Sequence, residues 1–595
     1  GHERKIIALS SINQQSYTLI LKGVWYDCCL KSSDPFRIFV NFGDLDEEHS
    51  PIIFDNNSKN LILVYPDKLM SANEIASSAF CRRKSVLNDK FRCSDDVTGN
   101  KAMLLGTLLH RLFQKALGEQ WNGVKRLESE FDSFLKDADV LEAMYFCNVS
   151  SVIMQEDARA YFKKLDELLV GKFSRQKSDL FQNPANGRHI QFENVQDIEE
   201  NIWCPRYGLR GKIDVTLQVR DNIDSTENLP TILPLELKTG KTSQSVEHRA
   251  QVLLYNLLLS QNHLDVSDNG LLLYLKDGHL SHLKVNYRDI RGLFHLRNEM
   301  ARSVELFGSI DIENKLNFEL PESLPSTRFC PSCPQALNCC LMSKLESEVR
   351  ETDDDENRQQ FIDNVTSHLT EKYLTYFQKW LKWTCLENAE QNSKRPNMSD
   401  LWSKKAAERA ADSNALDSLH FEKMITSGEN CQNFQLKLRG KNIPFGIFEV
   451  GDYCIVSNVT KNQIAVASGI ISVMSDQEIV LNVSKSYDFD SNNEFSLDHY
   501  NSSASNLRSQ LGILTKLMTP SEHSRKICEL IIDLKDPTFQ EKLIKNTILK
   551  SKSHLSRLNK QQILAVVKAL RANDYTLIRG LPGTGENSVL VYCVF

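Results

Sequence analysis

The chain has 595 residues, 41% of them hydrophobic, and a formal net charge of −6 at pH 7. That length predicts roughly three to five domains, and no apolar run nears the roughly 18 residues of a membrane-spanning helix, which excludes one. Fifteen cysteines without a signal peptide predict a reducing compartment and exclude a disulfide framework. The start at Gly1 instead of a methionine predicts a piece of a longer chain, so missing N-terminal signals say little.

Residues 1–70 contain short strand-like runs, Ser16–Lys22, Arg37–Val40 and Leu61–Tyr65, separated by polar turns, which predict a small OB-like β-barrel. Cys81 follows in Ala79-Phe-Cys-Arg-Arg-Lys84. Helical periodicity over Leu104–Leu117 stacks His110 and Gln114 one turn apart on the polar side, where a neutral imidazole could reach a metal. From Gly211 to Val219, Ile213, Val215, Leu217 and Val219 alternate with Lys212, Asp214, Thr216 and Gln218, so Asp214 points away from the core of a strand. In Thr231–Thr239, Leu233, Leu235 and Leu237 face one way, and Glu236 and Lys238 the other. Paired, these strands gather two carboxylates and an ammonium. Oxygen donors of this kind hold Mg²⁺ or Mn²⁺ at a scissile phosphate, and the lysine offsets charge developing on the phosphoryl oxygens. The bland alternative is a hairpin with a solvated charged face. A second amphipathic helix, Val246–Leu259, sets Gln251 and Tyr255 one turn apart, able to bond a phosphate or orient the lysine.

The order Gly-Thr-x-x-His-x-x-x-Gln, Gly-x-x-Asp, Glu-x-Lys and Gln-x-x-x-Tyr resembles the RecB-type branch of the PD-(D/E)xK nuclease family. Arg82, Arg83, Lys84, Arg206, Arg210, Lys212, Lys238, Lys241 and Arg249 fall in or beside these motifs, where they could steer a phosphate backbone.

Further along, Leu271–Val285 predicts a hairpin with a two-residue Asp277-Gly278 turn. Cys330-Pro-Ser-Cys333 and Cys339, with Cys340 adjacent, form a C-x₂-C-x₅-C group that with remote Cys81 could hold zinc or an iron–sulfur cluster. RecB-type enzymes with this one-plus-three arrangement hold a 4Fe-4S cluster. The resemblance therefore implies Cys81, Cys330, Cys333 and Cys339 as ligands clipping the ends of the domain, with Cys340 the rival for the last place.

Glu351–Asn357 reads as a solvated acidic linker. Ile362, Val365, Leu369, Tyr373, Tyr376, Phe377, Trp380 and Leu381 follow helical spacing and predict one long helix with an aromatic stripe for core packing. Strand-like runs at Phe445–Val456, Gln463–Ile471 and Glu478–Val483 predict a second small barrel. Near the C-terminus, Gln562 in Leu558-Asn-Lys-Gln-Gln562, a helix through Leu570, a strand and a loop carrying Gly580, Gly583 and Gly585 resemble the entry to a superfamily 1 helicase. A working loop needs Gly-x-x-x-x-Gly-Lys-Ser/Thr to reach nucleotide phosphates and Mg²⁺. Here Glu586 and Asn587 take the last two places, and a carboxylate repels polyphosphate.

The expected fold class is multidomain α/β. The domains are an OB-like barrel (1–70), the nuclease with its cysteine staple (71–345), an acidic linker and helical stalk (346–427), a small barrel (428–500) and the start of a helicase domain (501–595). This order resembles the eukaryotic DNA replication ATP-dependent helicase/nuclease family, with close runs at Leu61–Leu69, Pro205–Thr216, Pro234–Lys241 and Lys526–Asp533. The resemblance implies two-metal cleavage of single-stranded and 5′-flap DNA. Asp214 bridges the metals, and Glu236, His110 and the Leu237 carbonyl complete their shells. Lys238 stabilises the hydroxide or transition state, while Gln251 and Tyr255 position the phosphate. It further implies a tunnel for the strand, an RPA-type partner, a monomer away from membranes, and a place in the nucleus, with a mitochondrial share left open. ATP use is expected only of a longer form. The alternatives are an incomplete version of a full 5′–3′ helicase/nuclease and a non-catalytic single-strand-binding scaffold.

Overall fold

The computed structural model describes residues 2–11, 14–40, 51–91, 100–174, 179–182, 189–221, 230–310, 316–324, 326–347, 356–393, 398–426, 434–441, 443–444, 446–483, 489–499, 503–541 and 558–580. The chain divides into two compact units, Gly1–Cys339 with Lys382–Gly512, and Cys340–Leu381 with Ile513–Phe595. It is a mixed α/β protein of several domains, one of them a closed barrel.

The first unit opens with β1 (Glu3–Leu9), β2 (Ser16–Lys22), β3 (Phe36–Phe39), β4 (Ile52–Phe54) and β5 (Leu61–Val64). The expected OB-like barrel is not what the described strands form: β1-β2-β4 make one sheet and β3-β5 another. The reason lies at β5, whose open edge is bonded by side chains. Buried Asn298 accepts the Val64 N–H at 2.9 Å and donates to the Ile62 carbonyl at 2.8 Å. Arg297, 1% exposed, donates to the carbonyls of Val64, Tyr65 and Lys68. With backbone groups satisfied this way, the ladder ends without another strand.

A short β6 (Met70–Ser71) leads into α1 (Ala72–Ser78) and α2 (Arg82–Phe91), then α3 (Lys101–Gly118), α4 (Val124–Phe134), α5 (Ala138–Phe146) and α6 (Ser151–Gly171). The central sheet follows: β7 (Asp179–Gln182), β8 (His189–Cys204), β9 (Leu209–Asp221), β10 (Thr231–Lys238), α7 (Val246–Asn262), β11 (Asn269–Tyr274) and β12 (His279–Lys284). Its order is β12-β11-β10-β9-β8-β7, with β6 beside β9. All neighbours run antiparallel except β10–β11 and β6–β9, and α7 makes the crossover that the parallel β10–β11 pair requires.

The apolar stripe foreseen on β9 and β10 is buried, with Val215, Leu217, Leu233, Leu235 and Leu237 all 0% exposed and packed against α3–α6. The opposite face is not solvated as the hairpin alternative required. Helix α7 covers it, seating Val252 against Leu272, Tyr274 and Leu283. Close approach explains the motif glycine: a Cβ on Gly211 would lie 2.5 Å from Leu258 Cδ1 and 3.4 Å from Tyr255 Cε1. The β11–β12 turn is longer than expected. Tyr274 pairs with His279, leaving Leu275–Gly278 as a four-residue loop in which Gly278 takes φ +68°.

After α8 (Tyr287–Leu306), a 3₁₀ turn at Thr327–Ser332 precedes α9 (Ala336–Ser347). The expected single stalk helix is two, α10 (Glu356–Thr366) and α11 (Glu371–Ser393). The Thr370 hydroxyl accepts the Tyr373 N–H at 3.3 Å and so caps a fresh helix start. Within the second unit Tyr373 donates to Asp533 Oδ2 at 2.6 Å, and Phe377 and Leu381 are buried at 1% exposure, which supports a packing role for the stripe. Most of the acidic linker, 351–355, lies outside the described residues.

The second expected barrel is present and larger than foreseen. It closes in the order β13-β14-β17-β16-β15-β18 from β13 (Ala415–Thr426), β14 (Phe434–Arg439), β15 (Tyr453–Asn458), β16 (Gln463–Met474), β17 (Glu478–Val483) and β18 (Glu494–His499). Its first strand falls in the stretch assigned to the stalk. Buried Arg409 holds Asp498 at 2.6 Å and Ser496 on the face of β18 opposite the barrel core.

Candidate active site

The register assembles the site. Leu235 and Ile198 both pair with Val215, so Glu236 on β10 and Glu199 on β8 flank Asp214 on β9 in one row across three strands. The β9–β10 ladder ends at Leu235↔Val215, and beyond it the Asp214 carboxylate itself accepts the Leu237 N–H at 2.8 Å. His110 Nδ1 stands 3.7 Å from Asp214 Oδ2. The Gln114 amide donates to the Asp214 carbonyl at 3.0 Å and to Glu199 Oε1 at 2.5 Å. Lys238 Nζ donates to Glu236 Oε1 at 2.6 Å and to Gln251 Oε1 at 2.9 Å, and Gln251 Nε2 donates to the Tyr255 hydroxyl at 2.8 Å. The structure therefore brings His110, Gln114, Asp214, Glu236, Lys238, Gln251 and Tyr255 into one connected group. Leu237 has its peptide N–H fixed by Asp214.

Burial dominates the electrostatics. It raises the Asp214 carboxyl above its usual range despite the attraction of His110 and the bond from Leu237. It raises Glu236 further, with the neighbouring Asp214 charge adding to the effect. Burial lowers His110, which leaves a neutral imidazole near neutrality. Glu236 is 2% exposed, and its Oε2 accepts no hydrogen bond from an N–H or hydroxyl among the described residues, with the Asp214 carboxyl as its neighbour. An orphaned carboxylate oxygen beside a second buried acid, with one ammonium to balance the pair, is short of positive charge. Oxygen donors, a neutral imidazole and that shortage fit a divalent cation bound by Asp214, Glu236 and His110.

Sequence reasoning missed Glu199, Glu200 and His263. Glu199, in the left-handed region at φ +57°, bonds Gln114 and pairs with Lys212 at 2.6 Å. Glu200 accepts from Thr216 Oγ1 at 2.6 Å and lies 3.0 Å from His263 Nε2. Its burial opposes ionisation, but the bonds from His263 and Thr216 outweigh it and hold the carboxyl below its usual range. The signal available in sequence was the acid run Asp197-Ile-Glu-Glu200. Its relevance depends on a strand register that only pairing supplies.

Of the expected basic steering groups, Arg83 is 3% exposed and bonds Cys339 Sγ at 3.3 Å, while Arg82 pairs with Glu299 at 2.6 Å. Arg83 is therefore structural, whereas the Arg82 side chain remains half exposed. That Arg83 bond also joins the segments of the cysteine group, as does an edge-to-face contact of Phe80 with Phe329 at 5.3 Å between ring centroids. Phe80 precedes Cys81 and Phe329 precedes Cys330. Cys81, Cys330, Cys333 and Cys339 are partly exposed thiols, whereas Cys340 is 2% exposed. Four soft donors on adjoining segments suit an iron–sulfur cluster or zinc. Among the described residues, no three His, Cys, Asp or Glu side chains converge into a closed metal-binding group, neither these cysteines nor Asp214, Glu236 and His110, so both sets match a metal by donor type and not by a preformed cage.

In the second unit, Gln562 serves as a helix cap: it accepts the Asn559 N–H at 2.9 Å at the start of the Lys560–Arg571 helix. Gly580 is described, and Gly583, Gly585, Glu586 and Asn587 lie outside the described residues.

Fold and site define a multidomain α/β protein whose buried acid, acid and lysine row is backed by a glutamine–tyrosine helix. Residues 10–219 match the family model of DNA replication factor Dna2. The chain is 32% identical over 616 residues to the DNA replication ATP-dependent helicase/nuclease DNA2 of Bos taurus and 32% identical over 613 residues to that of Homo sapiens. Each alignment covers 99% of this chain and 56% of the relative. The Schizosaccharomyces pombe protein of the same description is 26% identical over 628 residues, covering 99% of this chain and 42% of that protein. The chain is thus similar to the DNA2 proteins along nearly its whole length, and it spans a little over half the length (56%) of those from Bos taurus and Homo sapiens.

Proposed function

We propose that this chain is a metal-dependent nuclease with a RecB-type PD-(D/E)xK core, cutting single-stranded and 5′-flap DNA in Okazaki-fragment processing and end resection. The observation that carries this reading is the continuous chain Glu236–Lys238–Gln251–Tyr255 beside Asp214, with the Glu236 Oε2 atom orphaned. Asp214, Glu236, His110 and the Leu237 carbonyl are the groups that would hold Mg²⁺ or Mn²⁺. When bound, such a cation supplies Lewis acidity and lowers the pKa of water at the phosphate.

The protein's own contributions follow from the bonds. Lys238, held from two sides, keeps its ammonium aimed where phosphoryl charge develops. Gln251 fixes that lysine, and Tyr255 fixes Gln251. Gln114 ties α3 to the Asp214 peptide and so holds His110 beside the acid row.

Cys81, Cys330, Cys333 and Cys339 are proposed to carry a 4Fe-4S cluster that joins the two ends of the domain. A partner of RPA type, a monomeric state and a nuclear and mitochondrial location belong to the same reading. The C-terminal segment is read as the start of a helicase domain whose loop, with Glu586 and Asn587, does not bind ATP phosphates.

Cleavage of a 5′-flap substrate with Mg²⁺, comparing this chain with Asp214→Ala, tests the proposal. Loss of at least a hundredfold in rate is expected; equal rates would sink the site assignment.

A further inference from the structure

A cavity of about 400 Å³ lies within the first unit, between the central sheet and the barrel. Its walls include Tyr255 and Lys212 on one side and Tyr453 and Ser468 on the other, with Arg210 and Glu74 contributing charge. Two of these residues lead directly to the acid row. Tyr255 bonds Gln251, which holds Lys238, and Lys212 pairs with Glu199 beside Asp214.

The barrel's position here is fixed by packing. Trp203 of β8 is buried in an apolar cluster with Leu401, Ile455 and Ala465, and Ile455 belongs to β15, the strand that begins at Tyr453. Tyr453 is nevertheless 43% exposed, and its hydroxyl is tied to Ser468 Oγ at 3.0 Å. An aromatic ring that is anchored at its tip yet open to a cavity suits base stacking, because little rotamer freedom remains to be lost. Arg210 and Lys212 bring positive charge to the wall, that of Lys212 shared with Glu199, and a phosphate backbone would compete for it. Glu74, the acid among the described lining residues, is held in place by the Ser71 N–H at 3.0 Å as a cap of α1.

We infer that the barrel forms one wall of the path to the acid row, with Tyr453 stacking on a base of the single strand next to the nucleotide being cut. Tyr453 is then a positioning residue contributed by a domain outside the nuclease sheet. This inference rests on the nuclease reading, and its test separates the two.

Binding of a fluorescent oligothymidylate to the full chain is measured in an Asp214→Ala background, so that it does not depend on cleavage. An abasic site is then moved along the strand one position at a time. Tyr453→Ala is expected to weaken binding about 5- to 100-fold, to leave the melting temperature unchanged, and to abolish the penalty of the abasic site at one position. Tyr453→Trp should restore both. In the cleaving chain, KM should rise with kcat within twofold. Equal binding by Tyr453→Ala and its parent, or an abasic profile the substitution does not alter, would overturn the inference even if the chain cuts DNA. A Tyr453-dependent profile in a chain that never cuts would uphold the subsite and refute the nuclease reading.

Discussion

Replacing Gln251 by leucine tests the positioning chain most directly. Gln251 is 7% exposed and sits between two partners, Lys238 Nζ at 2.9 Å and the Tyr255 hydroxyl at 2.8 Å. Leucine keeps most of the volume that this α7 side chain fills while removing both bonds. The ammonium then keeps its bond to Glu236 at 2.6 Å. A hydrogen bond to a charged group is worth roughly 1.5–3 kcal/mol. If that bond acts fully in the transition state, the cleavage step slows roughly 10- to 150-fold, since about 1.4 kcal/mol corresponds to tenfold. Single-turnover cleavage of a 5′ flap with Mg²⁺ reads this rate, and strand affinity in Ca²⁺ should stay within twofold. Tyr255→Phe removes only a neutral bond, so a fall of about 2- to 10-fold is expected. Because Tyr255 acts through Gln251, the double variant should be no slower than Gln251→Leu alone. A Gln251→Leu rate within threefold of the parent, with Asp214→Ala inactive, would refute the argument.

Three further outcomes follow from the same geometry. Burial raises both Asp214 and Glu236, so their contribution to stability is complete below the ordinary carboxylate pKa and is lost as pH rises through their higher folded values. In EDTA the melting temperature should fall over that rise, and Mg²⁺ or Mn²⁺ at pH 8 should restore it by binding the ionised pair. At a hundred times the dissociation constant the gain is about 2.7 kcal/mol. The absence of any metal response at pH 8 would contradict the charge-shortage argument. Cys81→Ala or Cys333→Ala should lower bound iron and absorbance near 400 nm (an approximate position for an iron–sulfur chromophore) and reduce the melting temperature; zinc in place of iron would reassign the group. Arg297→Met should orphan the carbonyls of Val64, Tyr65 and Lys68 at about 1–3 kcal/mol each. Urea unfolding that registers less than 1 kcal/mol (an approximate lower bound) would contradict that accounting.

The amino-acid sequence alone determined which strands and helices carry the chemistry, because strand alternation and helical spacing are local properties. Alternation sets Asp214 on the polar face of one strand and Glu236 and Lys238 on that of the next, and helical spacing sets His110 with Gln114 and Gln251 with Tyr255 on helices, all of which the fold retains. The barrel's later strands were also legible from their β-branched and aromatic runs. What required the tertiary structure was everything decided by pairing and cover. Only register puts Glu199 beside Asp214, and only α7 lying across β9 and β10 turns a charged face into a buried one with raised carboxyl groups. The N-terminal strands read as a barrel until Asn298 and Arg297, more than two hundred residues away in sequence, bond the edge of β5. Hydrophobic periodicity records which face of a strand is apolar. It carries no information about which distant side chain will satisfy that strand's edge, or which helix will close over its polar face.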